Sequence, residues 1–113
     1  MKRSAASMKQ ELSTCEEIIM NILWDAGKKP MTCPDVIQQL RNRYELDYNV
    51  TTVYTFLGVL VKKGFVYMIR DKVNQYHACR DREEYLYEKF DLIARIWFEG
   101  DLDKIRKYLK KAD

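Results

Sequence analysis

The sequence predicts a mainly α chain with one small β-hairpin, and three observations carry that reading. Apolar residues recur at helical spacing in three successive segments between Ser13 and Lys63. Directly after Gly64 the helical period stops and a short β-prone run begins. From Asp81 onward the helical period returns with a broader apolar surface. Three helices followed by a two-stranded hairpin is the order of a winged helix-turn-helix, here with further helices appended.

The first helix is expected from Ser13. Ser13-Thr14-Cys15-Glu16 has the spacing of a capping box, in which the hydroxyl and the Glu carboxylate each take a backbone N–H of the first turn. The helix should run to Trp24, with Cys15, Ile18, Ile19, Ile22 and Leu23 on one face. Asp25-Ala26-Gly27-Lys28-Lys29-Pro30 breaks it. The second helix opens at Thr32-Cys33-Pro34-Asp35, an N-cap followed by Pro in the first turn and an acid near N3. Its stripe is Cys33, Val36, Ile37, Leu40 and Tyr44, and Arg41 and Arg43 complement the dipole at its end.

After a short loop, Glu45-Leu46-Asp47-Tyr48, comes the stretch that organises the chain. Asn49 is expected as N-cap, Val53, Phe56, Leu57, Leu60 and Val61 as the buried stripe, and Gly64 as the residue that ends the helix in the left-handed conformation. The opposite face carries Thr51, Thr55, Gly58 and Lys62, with Thr52 and Tyr54 beside it. Short hydroxyls let a backbone approach base edges, and lysines meet phosphates. Asn49, Thr51, Thr52, Tyr54, Thr55, Lys62 and Lys63 are therefore candidate DNA contacts. The alternative is an ordinary solvated helix face, because threonines are common on such faces and Lys-Lys-Gly ends many helices.

Phe65-Val66-Tyr67-Met68-Ile69 should form one strand, Asp71-Lys72-Val73-Asn74 a turn, and Gln75-Tyr76-His77-Ala78-Cys79 a return strand. Arg70 and Lys72 sit at the hairpin tip, where a wing touches phosphate. Beyond Asp81, Leu86, Phe90, Ile93 and Trp97 recur at helical spacing, and Tyr85, Leu92, Ile96 and Phe98 widen the apolar surface. Gly100 interrupts, Asp101 can cap, and a last short helix offers Leu102, Ile105 and Leu109 opposite Lys104, Lys107, Lys110 and Lys111. A surface so apolar on a chain this small reads as a dimerisation element, the alternative being helices packed on their own domain. The expected organisation is a flexible N-terminal arm over residues 1–11, a winged domain over 12–80 and a helical dimerisation region over 81–113.

At 113 residues the chain is bounded to one domain, or one domain with a helical appendage. The formal charge is only +3, but residues 1–80 hold 12 Lys and Arg against 8 Asp and Glu, while 81–113 hold 8 against 9. The basic excess thus accompanies the candidate reading helix. The 3 cysteines, Cys15, Cys33 and Cys79, are odd in number, widely spaced and form no CxxC pair. That argues for free thiols in a cytoplasmic setting rather than a disulfide framework. His77-Ala78-Cys79 offers two metal ligands where zinc usually takes three or four from protein, so no metal or other cofactor is expected. The N-terminus has no apolar core of a signal peptide, and no segment has the length of a membrane span. A single histidine, no Gly-rich phosphate loop and no nucleophile elbow argue against an enzyme.

These residues together resemble the penicillinase-repressor (BlaI/MecI) family of bacterial transcription factors, over residues 12 to about 109. The pieces that carry the resemblance are Leu12-Ser13, Glu16 and Met20-Asn21-Ile22-Leu23-Trp24 in the first helix. In the third they are Thr52-Val53-Tyr54-Thr55-Phe56-Leu57, Leu60 and Lys62-Lys63-Gly64-Phe65-Val66. Tyr76, Arg82-Glu83-Glu84-Tyr85 and Gly100-Asp101 complete the set. The resemblance implies a homodimeric winged-helix repressor on an operator dyad, often TACA/TGTA-type, paired through its C-terminal helices. The chain departs from the family pattern at Glu17, where Trp is common, and at Tyr54 and Val59, where basic residues are usual. These departures keep open a second reading, a winged-helix protein-interaction module with little DNA binding. Release in the family is typically by proteolysis at an Asn-Phe-type bond. The corresponding bond here is Tyr108-Leu109, which matches at neither residue, so a small-molecule or redox inducer is expected instead.

Overall fold

The structure is a computed structural model that describes residues 12–109. The expected N-terminal arm, and Lys110 and Lys111 of the last helix, lie outside the described residues. In chain order the elements are α1 (Thr14–Ala26), α2 (Cys33–Tyr44), α3 (Val50–Lys62), β1 (Val66–Ile69), β2 (Gln75–Ala78), α4 (Arg82–Trp97), a 3-10 turn (Leu102–Ile105) and α5 (Arg106–Leu109). Leu12–Asp81 form one compact unit, and the chain from Arg82 belongs to a second.

Each helix of the first unit starts where a side chain can satisfy its free N–H groups. Ser13 and Glu16 cap α1 reciprocally, and Thr32 and Asp35 do the same for α2. Asn49 Oδ1 accepts from the Thr52 N–H at 2.8 Å to start α3. α1 runs two residues past the expected Trp24, because the stop comes only at Gly27, whose φ of 61° closes the end. The core is built from Ile19, Met20, Ile22 and Leu23 of α1, Cys33, Val36 and Leu40 of α2, and Val53, Leu57 and Leu60 of α3, closed by Phe65, Val66 and Tyr76. The stripes differ from expectation at their edges. α1 touches α2, α3 and β2, so its buried arc takes in Met20 and leaves Ile18 half-buried. Ile37 and Phe56 are also half-buried, and Val61, at the far end of α3, is exposed.

The two strands pair antiparallel from Val66↔Ala78 to Ile69↔Gln75. Phe65 and Cys79, expected in the strands, fall just outside them, although the Cys79 N–H still donates to the Phe65 carbonyl at 2.9 Å. The hairpin gains a third contact that the periodicity does not announce. Met31, between α1 and α2, forms an antiparallel bridge with Tyr76, whose N–H donates to the Met31 carbonyl at 2.8 Å. This ties the hairpin to the α1–α2 connection, beside Pro30, a residue that neither helix could accommodate in its interior.

In the second unit α4 buries only Tyr85, Leu92 and Ala94. Its end is closed by Phe98 and Gly100, whose N–H groups both reach the Ala94 carbonyl at 2.8 Å, with Glu99 and Gly100 at positive φ. Asp101 caps the 3-10 turn, its Oδ1 accepting from the Asp103 N–H at 3.0 Å. The expected last helix is, over the described residues, this 3-10 turn leading into a single α-helical turn, and neither buries a residue.

Candidate nucleic-acid interface

Beyond its buried stripe of Val53, Leu57 and Leu60, α3 is held by contacts at its two ends. At the N-terminal end the Tyr48 hydroxyl lies 3.0 Å from Cys15 Sγ, and its ring meets Phe56 edge-on at 5.7 Å. The loop before the helix is thereby anchored to α1 on one side and to α3 on the other. At the C-terminal end the Gly64 N–H donates to the Val61 carbonyl and the Phe65 N–H to the Leu60 carbonyl, each at 3.0 Å. That pair of bonds is a Schellman stop, and Gly64 at φ 83° supplies the left-handed residue it needs.

Lys63 adds a tether of a different kind. Its Nζ donates to Glu16 Oε1 at 2.8 Å, and the same carboxylate oxygen accepts the Ser13 N–H at 2.9 Å. Glu16 is the one buried charged residue among the described residues. Burial alone pushes its carboxyl up and is the largest single influence. The Lys63 and Ser13 hydrogen bonds together outweigh it and hold the group below the ordinary carboxylate range. The Glu of the α1 capping box therefore also holds the last turn of α3.

The sequence candidates sort accordingly. Thr51, Tyr54, Thr55 and Lys62 lie exposed on α3, and Arg70 and Lys72 lie exposed in the loop between the strands. Asn49 is exposed, but its side-chain oxygen is engaged as the cap. Thr52 is half-buried. Lys63 differs most from expectation, since its half-buried side chain turns its ammonium to the Glu16 carboxylate. Val50, the first residue of α3, is 52% exposed and stands outside the sequence candidates. The signal was present: an Asn49 cap makes Val50 the first helical residue, one position before the expected outer face begins. Behind this face Tyr76 is buried, which raises its hydroxyl above the usual tyrosine range, with the Tyr54 and Cys33 groups adding to the effect. On the hairpin Tyr67 stacks on His77 at 5.0 Å.

On the second unit the residues expected to pair copies of the chain divide into two groups. Leu86, Phe90, Trp97, Leu102 and Leu109 are exposed, Trp97 at 74%, while Ile93 and Ile105 are half-buried. Glu83, Leu86, Tyr87, Phe90 and Leu102 border an apolar groove of about 320 Å³. Among the described residues no three of His, Cys, Asp and Glu converge as a metal site would require, and no helix is long and apolar enough to cross a membrane.

Comparison with known structures places the fold. RosR of H. salinarum aligns at 20% identity with a TM-score of 0.59, covering 90% of each chain. YusO of Bacillus subtilis aligns at 13% identity and TM-score 0.58, over 98% of this chain and 79% of that one. A MarR family protein of Bacillus stearothermophilus aligns at 13% identity and TM-score 0.51, over 98% and 78%. The fold is thus that of winged-helix regulators. No curated protein sequence matches the chain. The family profile described as penicillinase repressor matches residues 12–110, nearly the whole chain, and the protein belongs to that family.

Proposed function

We propose that the chain is a DNA-binding transcriptional repressor that acts as a homodimer on a palindromic operator. The observation that carries this reading is the exposed face of α3. A helix capped and tethered at both ends presents Val50, Thr51, Tyr54 and Thr55 outward from its N-terminal half and Lys62 at its far end. Helix-turn-helix proteins place the N-terminal residues of the second helix of the motif against base edges and let cations at the periphery meet phosphate. Arg70 and Lys72 suit the second role from the hairpin. Family membership supports a regulator rather than an enzyme.

The homodimer rests on the second unit. A monomer with Trp97, Phe90, Leu86 and Leu102 in water leaves large apolar side chains exposed along one short stretch of chain. A second copy covers them in the isologous manner usual for small regulators, and supplies the second reading helix that a dyad requires.

The alternative, a winged-helix interaction module, is favoured by the absence of any charged residue on α3 before Lys62. Fluorescence anisotropy separates the two. A randomised duplex pool, enriched by binding to the full chain, should yield a preferred site bound more tightly than its scrambled version. Affinity for both should fall steeply with salt. No binding to either duplex at low salt would overturn the repressor reading in favour of the interaction module.

A further inference from the structure

The face that α3 presents is poor in groups that read most bases. Guanine is read by Arg or Lys on its O6 and N7, cytosine by an acid, and adenine by a bidentate Asn or Gln. α3 carries no Arg, Asn, Gln or acid, and its one Lys is in the last turn. Asn49, just before the helix, has its side-chain oxygen engaged with the Thr52 N–H, which holds the amide at the cap and leaves one lone pair on that oxygen. Thr55 is compromised as a donor. Its hydroxyl proton goes to the Thr51 carbonyl at 3.0 Å, which leaves an acceptor and a methyl group. Beside the hydroxyls of Thr51 and Tyr54, which pair with no one base in particular, the N-terminal half of the helix therefore presents carbon. Val50 is 52% exposed and Tyr54, one turn later, 42%.

Val50 makes little contribution to the core at that exposure, and a solvated first turn has no need of a β-branched apolar residue. The one base-edge feature in the major groove that apolar carbon recognises is the C5-methyl group of thymine. We propose that α3 reads thymine through this methyl group, with Val50 as the specificity-determining residue and the methyl of Thr55 and the ring of Tyr54 flanking it. The inference rests on the DNA-binding reading above and deepens it by naming the base chemistry.

The test uses a duplex selected by the full chain from a randomised pool, and replaces each thymine in turn by deoxyuridine, which keeps every hydrogen-bonding group and removes only the methyl. At the position facing Val50 the wild-type chain should lose about fourfold in affinity, the loss expected for one methyl no longer buried. Uracils outside the protected region should change nothing. Val50→Ala, an exposed substitution that favours the helix, should bind the thymine duplex more weakly and no longer distinguish thymine from uracil at that position. Retained discrimination by Val50→Ala would move the role to another residue and overturn the assignment. Equal affinity of the wild type for every uracil-substituted duplex would overturn methyl reading itself while leaving DNA binding intact. Failure to bind any duplex would remove both.

Discussion

In Leu12–Asp81 the apolar stripes of three helices converge and the hairpin closes over them, whereas from Arg82 onward most of the apolar surface stays in solvent. The first unit meets its burial requirement internally, down to a carboxylate held by Lys63 and Ser13. The second buries only three residues of α4 and none of α5. Exposed apolar surface of this kind marks an interaction site. Under the proposed function, the two jobs of a dimeric regulator fall to different stretches of chain: reading to the unit that is complete, pairing to the one that is not.

The largest expected effect comes from separating them. A chain ending at Asp81 should fold, sediment as a monomer, and lose roughly 10²–10⁴-fold in affinity for a two-site duplex, because the second reading helix is no longer tethered to the first. Trp97→Ala in the full chain should weaken pairing by about 2 kcal/mol or more, as loss of a large aromatic at an interface centre does. Sedimentation velocity over a concentration series reads both. A truncated chain that still sediments as a dimer would place the pairing surface in the first unit.

A smaller effect sharpens the internal accounting of the first unit. Lys62 and Lys63 are neighbours with different tasks. Lys63→Met strands a buried carboxylate and should cost about 1–3 kcal/mol in urea unfolding. Lys62→Met should leave stability alone and flatten the dependence of log affinity on log salt by about one unit. If both substitutions flatten the slope equally and neither changes stability, the Glu16–Lys63 tether carries no weight. The ionisation of Glu16 gives the same tether a pH signature. Its folded-state pKa is depressed, so the stability it contributes is present above the ordinary carboxylate value and is lost as pH falls through the lower folded value. Acid unfolding of Lys63→Met should show a smaller component, since without the ammonium only the Ser13 hydrogen bonds oppose the upward push of burial on Glu16.

The fold was legible because capping and periodicity agreed. The boxes at Ser13 and Thr32, the Asn49 cap and the Gly64 stop each fix a helix end by local chemistry, which a sequence displays directly. Partnerships between distant residues escaped. Nothing local pairs Lys63 with Glu16, Tyr48 with Cys15, or Met31 with Tyr76, because each depends on how elements pack rather than on spacing along one of them. The reading face was legible in outline and not in chemistry. Thr51, Tyr54 and Thr55 were visible as its members, but the inward engagement of Lys63 and the internal bond of Thr55 emerge only in three dimensions.

The smallest expected effect is at Gly58, an exposed helical glycine where an added Cβ would meet no atom within 4 Å. Gly58→Ala should stabilise the first unit by about 0.5–1 kcal/mol in thermal or urea unfolding. A loss of DNA affinity in the same variant would indicate that the helix backbone approaches the duplex at this turn.

The division of labour is tested most directly by stoichiometric anisotropy titration of the full chain against its selected duplex, with the chain ending at Asp81 run in parallel. Two full-length chains per duplex, saturating together and with affinity far above that of the truncated chain, is the expected result. One full-length chain per duplex, or equal affinities for the full and truncated chains, would contradict it.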